Sequence, residues 1–276
     1  MKFILTLVTI LFSQFYAVGQ IDTSQLTIGQ KFQIKSKFLN EAFPVWIRIP
    51  EEMEKHKDSI DLLVLLDGDE YFKMASDVIE LNEYDEVIKP TIIIGLPSTF
   101  ELRWKYYTPT FLPYGERYKQ DSILQSTTGH FGEYAEFIEK ELIPEISKNY
   151  KIKFINKTIF GHSLGGLGAI SFYRYKPELF NKYIIASPST NWDGFFMTKY
   201  YRDTLTKGTI NNNRIFISVA NNDIRQYKEN ISILAKSLVE KTQNGKQNIF
   251  FKIYPTGGHN MTGLRSLIDG IQELNK

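Results

Sequence analysis

The sequence has no cysteine, only four histidines, and little charge imbalance: 33 lysines and arginines stand against 31 acidic residues, a formal net charge of +2 over 276 residues. Without cysteine there is no disulfide, no thiolate metal site, no thiol nucleophile and no lipid-modified N-terminal cysteine. A balance this close to neutral gives no electrostatic case for a nucleic-acid partner. Beyond the first residues no apolar run is long enough to cross a bilayer. The content of 42% hydrophobic and 23% charged residues excludes a disordered, collagen-like or coiled-coil chain. A chain of this length can be held by its hydrophobic core alone.

The N-terminus reads differently from the rest. Lys2 precedes the ten-residue apolar run FILTLVTILF, and Ala17 and Gly19 occupy the −3 and −1 positions of a cleavage site before Gln20. The run is short for a membrane span, and the three features together form the pattern of a secretory leader. Residues 1–19 are therefore set apart as a signal peptide. The mature chain is expected to start at Gln20, in the periplasm or outside the cell, with no stable membrane insertion. N-terminal sequencing of the mature protein checks this. With no internal repeat or low-complexity linker, residues 20–276 read as one domain.

Within that domain, KFQIKSKF (31–38) alternates apolar and polar residues, and FPVWIRIP (43–50) follows as its expected antiparallel partner. Short, nearly all-apolar runs come next: 60–66, 91–95, 158–161, 182–187, 214–220 and 248–254. Such strands are buried on both faces, as in a parallel sheet covered by helices. The intervening stretches 131–150, 164–175, 228–243 and 260–275 carry helical patterns, so the expectation is an α/β fold wound on a mostly parallel sheet, with helices on both faces. Region 98–127 shows prolines, aromatics and charges without a clear period. A loop of that length is usually functional.

The stretch GHSLGG places Ser163 between Gly161 and Gly165, a G-x-S-x-G pattern that arises by chance in roughly one chain in ten of this length. Its flanks give it meaning. A strand ends at Gly161 and a helix begins just after Ser163, the strand–serine–helix turn on which a nucleophile is exposed above a helix N-terminus. A serine nucleophile needs a base. His56 lies in a charged, solvated stretch, His130 begins a helix as a capping or cleft residue, and His162 is turned away from its neighbour as a pocket or packing residue. His259, in YPTGGHNM after the last apolar strand, is the expected base. Chain order puts the acid between them: Asp223 just after the penultimate strand is favoured, with Asp193 as competitor. For the oxyanion hole, the amide of Leu164 is joined by that of Asp69, with Gly68 allowing close approach. The Asp67-Gly68-Asp69 run lacks the further acidic ligands of a calcium loop, so neither metal nor cofactor is expected.

The strings LLDGDEYF, IIIGLPSTFELRWKYYTP, FIEKELIPEISKNY, GHSLGGLGAISFYRYKPELF, ASPSTNWD and YPTGGHN resemble an esterase family of α/β-hydrolases that includes siderophore trilactone esterases, esterase D enzymes and secreted feruloyl esterases. The match runs over about residues 30–275, and the D-G-D-x-Y-F and R-x-x-Y-Y-T-P patterns resemble the siderophore branch. The resemblance implies an α/β-hydrolase fold, Ser163 as nucleophile, His259 as base, and Asp69 and Leu164 amides in the oxyanion hole. It also places Arg103 and Trp192 in the substrate cleft, although Asn191 stands where relatives carry a first tryptophan. Trp104, Tyr106 and Tyr107 are expected to line the same cleft, with His162 near it. The function expected is an exported serine esterase acting on a small-molecule or glycan ester, siderophore-type or otherwise bulky. A feruloyl or acetyl carbohydrate esterase, an acyltransferase and a non-catalytic binding protein remain as alternatives, the last opposed by the intact Ser163–His259 pair.

Overall fold

The computed structural model describes residues 27–112, 127–206, 213–242 and 244–276. The leader expected over 1–19, and most of the 98–127 segment beyond Leu112, lie outside the described residues. Eight strands form one sheet in the order β1-β2-β4-β3-β5-β6-β7-β8. They are β1 (Gln30–Ser36), β2 (Glu41–Arg48), β3 (Ile60–Leu66), β4 (Thr91–Leu96), β5 (Phe154–His162), β6 (Lys182–Ala186), β7 (Arg214–Ala220) and β8 (Ile249–Tyr254). The hairpin β1–β2 and the pair β2–β4 are antiparallel. Every other neighbouring pair is parallel.

The all-apolar strands are buried on both faces because each face has its own helical layer. In β3, Leu62, Val64 and Leu66 join the larger core, while Leu63 and Leu65 join the smaller one. The smaller core is closed by α1 (Gly68–Tyr84) through Tyr71, Phe72, Ala75 and Ile79, and by α9 (His259–Glu273) through Leu267 and Ile271. The larger core lies under α2 (Phe100–Tyr107), α3 (Phe131–Phe137), α4 (Ile143–Tyr150), α5 (Leu164–Tyr175) and α7 (Arg225–Lys241). A π-turn at Ile138–Leu142 joins α3 to α4, so the expected 131–150 helix is present with one wide turn ahead of Pro144. The short helices α6 (Phe196–Lys199) and α8 (Gly245–Asn248) fill connections.

Two helices depart from the sequence reading. The region expected to be a glycine-marked loop at 67–69 is the start of α1. Asp67 takes a left-handed conformation with φ 60°, and Gly68 is the first helical residue. A Cβ on Gly68 would lie 2.5 Å from the Leu96 nitrogen and 2.6 Å from the Gly95 carbonyl carbon. The glycine is therefore required by the close approach of α1 to β4. Helix α2 lies inside the segment read as aperiodic; Thr99 starts it, its side chain accepting from the Leu102 amide.

In a sheet of this order, β4 lies on one side of β3 and β5 on the other. The switch of direction between β3 and β5 opens a crevice at their C-terminal ends, the usual ligand position in open α/β sheets. Asp67 follows β3 there, and Ser163 follows β5.

Candidate active site

Ser163 stands between β5 and α5 with φ 57° and ψ −115°. This is the mirror image of extended backbone, a region costing a non-glycine residue about 1–3 kcal/mol. The strain is held from several directions. The Ser163 amide donates to Ala186 O, its carbonyl accepts from the amides of Leu167 and Ser189, and its Oγ lies 3.4 Å from Ser189 Oγ. Leu164, next in sequence, is the first residue of α5. Its N–H has no partner within the helix and sits at the positive end of the helix dipole.

His259 is the first residue of α9, where the chain returns over the sheet edge. Its Nδ1 is 2.9 Å from Asp223 Oδ1, which fixes the proton on Nδ1 and leaves Nε2 as the basic nitrogen. Asp223 follows β7, as its place in the chain order requires. Burial pushes the Asp223 carboxyl up, but the hydrogen bond and charge of His259 and the Ser187 hydroxyl outweigh that and leave it below the usual carboxylate range. The competing Asp193 lies in the cavity wall without a bond to His259.

Ser163, Leu164, Asp223 and His259 face one cavity of about 780 Å³. Phe100, Trp104, Leu112, Trp192, Ile224 and Tyr227 supply its apolar and aromatic wall, and Arg103 its cationic side chain. Trp104 and Trp192 pack against each other at 5.4 Å between ring centroids, and Trp192 Nε1 donates to Thr110 Oγ1. Asn191 also lines the cavity. Among the described residues no group of three or more His, Asp or Glu side chains is arranged to hold a metal ion.

Several expected cleft residues sit elsewhere. Gly68 and Asp69 are not part of the cavity lining. Asp69 directs its side chain to the Ser98 amide, while its own N–H, second in α1, has no intrahelical partner. Tyr107 is buried rather than in the cleft, and its hydroxyl oxygen accepts from the Asp67 amide. Tyr106 is likewise buried and bonds Glu41. Both rings belong to the larger core. His130 occupies the N-cap of α3, but its ring makes no cap bond and pairs with Glu133 instead.

Arg103 lines the cavity but is not free. It grips Asp67 through a fork, Nε to Oδ1 at 2.8 Å and Nη2 to Oδ2 at 3.0 Å. Ser98 Oγ also donates to Asp67 Oδ1. Nothing in the sequence around Asp67 signals this pair. Burial holds the Asp67 carboxyl up at about 6, against the opposing pull of Arg103.

His162 is corrected from cleft to support. It is 4% exposed, absent from the cavity wall, and its Nε2–H donates to the carbonyl of His259 at 2.9 Å. Its ring tilts against that of His259 at 4.6 Å. Burial pushes its pKa down to about 4, with the neighbouring His259 adding to the effect. Because the folded pKa lies below the unfolded value of 6.5, the unfolded chain takes up this proton first. Stability tied to His162 is therefore whole above about pH 6.5 and declines as pH falls toward about 4, by up to about 3 kcal/mol. Asp67 acts with opposite sign, favouring the folded state below its raised pKa. The contribution of His162 is isolated by His162→Gln, which keeps an N–H donor without a titrating ring. The thermal-midpoint gap between wild type and variant should narrow as pH falls from about 7 to about 4.5. A gap independent of pH would overturn the assignment.

A serine held at positive φ between strand and helix, on an eight-stranded sheet of this order, defines the chain as an α/β-hydrolase fold. The model of the family described as "Putative esterase" matches residues 36–272, and the chain belongs to that family. Among characterised relatives, ferri-bacillibactin esterase BesA of Bacillus subtilis is 38% identical over 106 residues, covering 38% of this chain and 37% of that protein. A siderophore enterobactin esterase of Emericella nidulans is 30% identical over 151 residues, covering 49% of this chain and 48% of that one. The matches thus span less than half the length of these two relatives. An IroE-like serine hydrolase from Shewanella oneidensis shares the fold with a TM-score of 0.74 at 24% identity, covering 88% of this chain and 79% of that one.

Proposed function

We propose that the protein hydrolyses carboxylic esters through an acyl-enzyme on Ser163. The observation that carries this is the Asp223–His259 pair at 2.9 Å facing the same cavity as the strained Ser163. His259 Nε2 takes the proton as Ser163 Oγ attacks the ester carbonyl, and Asp223 offsets the charge gained by the imidazole. The Leu164 amide at the N-terminus of α5 holds the developing oxyanion. The imidazolium then protonates the leaving alkoxide, and water releases the acid by the reverse sequence.

The substrate class follows from the wall of the cavity and from the relatives. Trp104, Trp192 and Phe100 offer flat apolar faces, while the charge of Arg103 at the same opening is already paired with Asp67. That wall suits a bulky aromatic acyl group, in keeping with the siderophore esters named for the two relatives. The test compares turnover of p-nitrophenyl butyrate, a catecholate trilactone and a feruloylated sugar. Hydrolysis of all three, with kcat/KM highest for the trilactone, is expected. A folded protein that turns over none of them would refute the esterase reading; preference for the feruloylated sugar would move it to carbohydrate esters.

A further inference from the structure

The segment Ser187-Pro188-Ser189 between β6 and Trp192 has no role in the acyl-enzyme chemistry, yet it touches both halves of the site. Ser187 follows β6 with φ 36°, a left-handed conformation that serine adopts only under constraint. It is 2% exposed. Its backbone N–H donates to Ser218 O, and its hydroxyl oxygen accepts from the Ala220 amide at 3.3 Å. The hydroxyl proton is thereby directed to Asp223 Oδ2, at 3.0 Å. The other oxygen of the same carboxylate, Oδ1, takes the His259 Nδ1–H at 2.9 Å.

We propose that Ser187 is a positioning residue for the acid: its hydroxyl holds Asp223 Oδ2 so that Oδ1 stays aimed at His259. This rests on the esterase reading for its kinetic consequence but not for its geometry. Degrees of freedom decide the matter. Asp223 lies in the connection after β7, and its carboxylate keeps freedom about χ2 unless both oxygens are tied, a task the Ser187 hydroxyl shares with the Ala220 amide. The cavity reaches Asp223, so water competes for any oxygen left untied. A buried hydroxyl that already accepts from a strand-end amide keeps its proton to donate, and Asp223 Oδ2 is the acceptor it meets. The left-handed backbone at 187 aims it there, an instance of local strain retained where orientation matters. The sequence separation of 36 residues between Ser187 and Asp223 hides the pair from any local pattern.

The test uses Ser187→Ala, which removes the hydroxyl and keeps the backbone constraint, and Ser187→Gly, which removes the hydroxyl and relieves the positive φ. Both should lower kcat for p-nitrophenyl butyrate by about tenfold or more, with KM little changed, as expected for a lost hydrogen bond to a charged group. In an Asp223→Asn background the same substitutions should cost little further, because the carboxylate they serve is gone. A readout independent of turnover is the low-field proton resonance of His259 Nδ1–H. It should be present in wild type and shifted or exchange-broadened in both Ser187 variants. A cost of equal size in both backgrounds, or an unchanged resonance in the variants, would overturn the proposal. Turnover that survives Ser163→Ala would instead sink the esterase reading and leave the Ser187 resonance test standing.

Discussion

Replacing Ser163 with alanine is expected to abolish measurable turnover of p-nitrophenyl butyrate, a loss of roughly 10⁴–10⁶-fold in kcat. The residual rate would come only from the cavity and the oxyanion donors. The same position predicts a stability effect of the opposite sign. Ser163 sits at φ 57° and ψ −115°, where alanine is strained as serine is, but glycine is not. Ser163→Gly should therefore be more stable than Ser163→Ala by about 1 kcal/mol, the relief of strain exceeding the extra chain entropy of glycine. Denaturant midpoints of the two inactive variants measure this directly. If glycine proves no more stable than alanine, the elbow is not storing strain. If Ser163→Ala keeps its turnover, Ser163 is not the nucleophile.

The strain at Ser163 is a property that sequence reveals well, because a serine flanked by small residues between strand and helix fits few backbone geometries besides the sharp turn. The eight strands were legible for a related reason. Residues such as those of 60–66 and 214–220 are apolar at nearly every position, which only two-sided burial rewards. Helix α1 was not legible. Its N-terminus has no side-chain cap, and Asp67-Gly68-Asp69 carries the composition of a turn. Its apolar residues Tyr71, Phe72, Ala75 and Ile79 are interleaved with charge, a pattern that packing against β4 and α9 resolves. Long-range polar pairs divide in the same way. Asp223 and His259 are 36 residues apart, but chain order in this kind of fold links them. Asp67 with Arg103 and Ser187 with Asp223 are equally distant, and no order or spacing rule points to either. His162 shows the limit from the other side. The turn reads as pointing it away from Ser163, into a pocket or into packing, and of the two it is packing: the ring lies against Tyr71 and bonds the His259 carbonyl.

Gly161→Ala is expected to be the most destabilising single substitution proposed for this chain. An added Cβ would lie 2.0 Å from the Gly165 carbonyl oxygen, 2.4 Å from its carbon and 2.9 Å from the Gly166 nitrogen. All three are backbone atoms of the first turn of α5, so no rotamer change removes the clash. Helix α5 must back away from β5, and the buried residues Leu167 and Ile170 move with it out of the core. A cost of about 3–5 kcal/mol follows, in the range where overpacking and backbone displacement combine, with a fall in Tm of about 10 °C or more. Gly132→Ala is the matched control, since no atom lies within 4 Å of its added Cβ. It should be neutral or slightly stabilising in the first turn of α3. The folded fraction of Gly161→Ala should also lose kcat, because α5 carries the Leu164 amide proposed to receive the oxyanion. A variant with wild-type Tm would show that α5 can yield without cost. The glycine before the serine would then be dispensable, and the case for a tightly fixed elbow would fail with it.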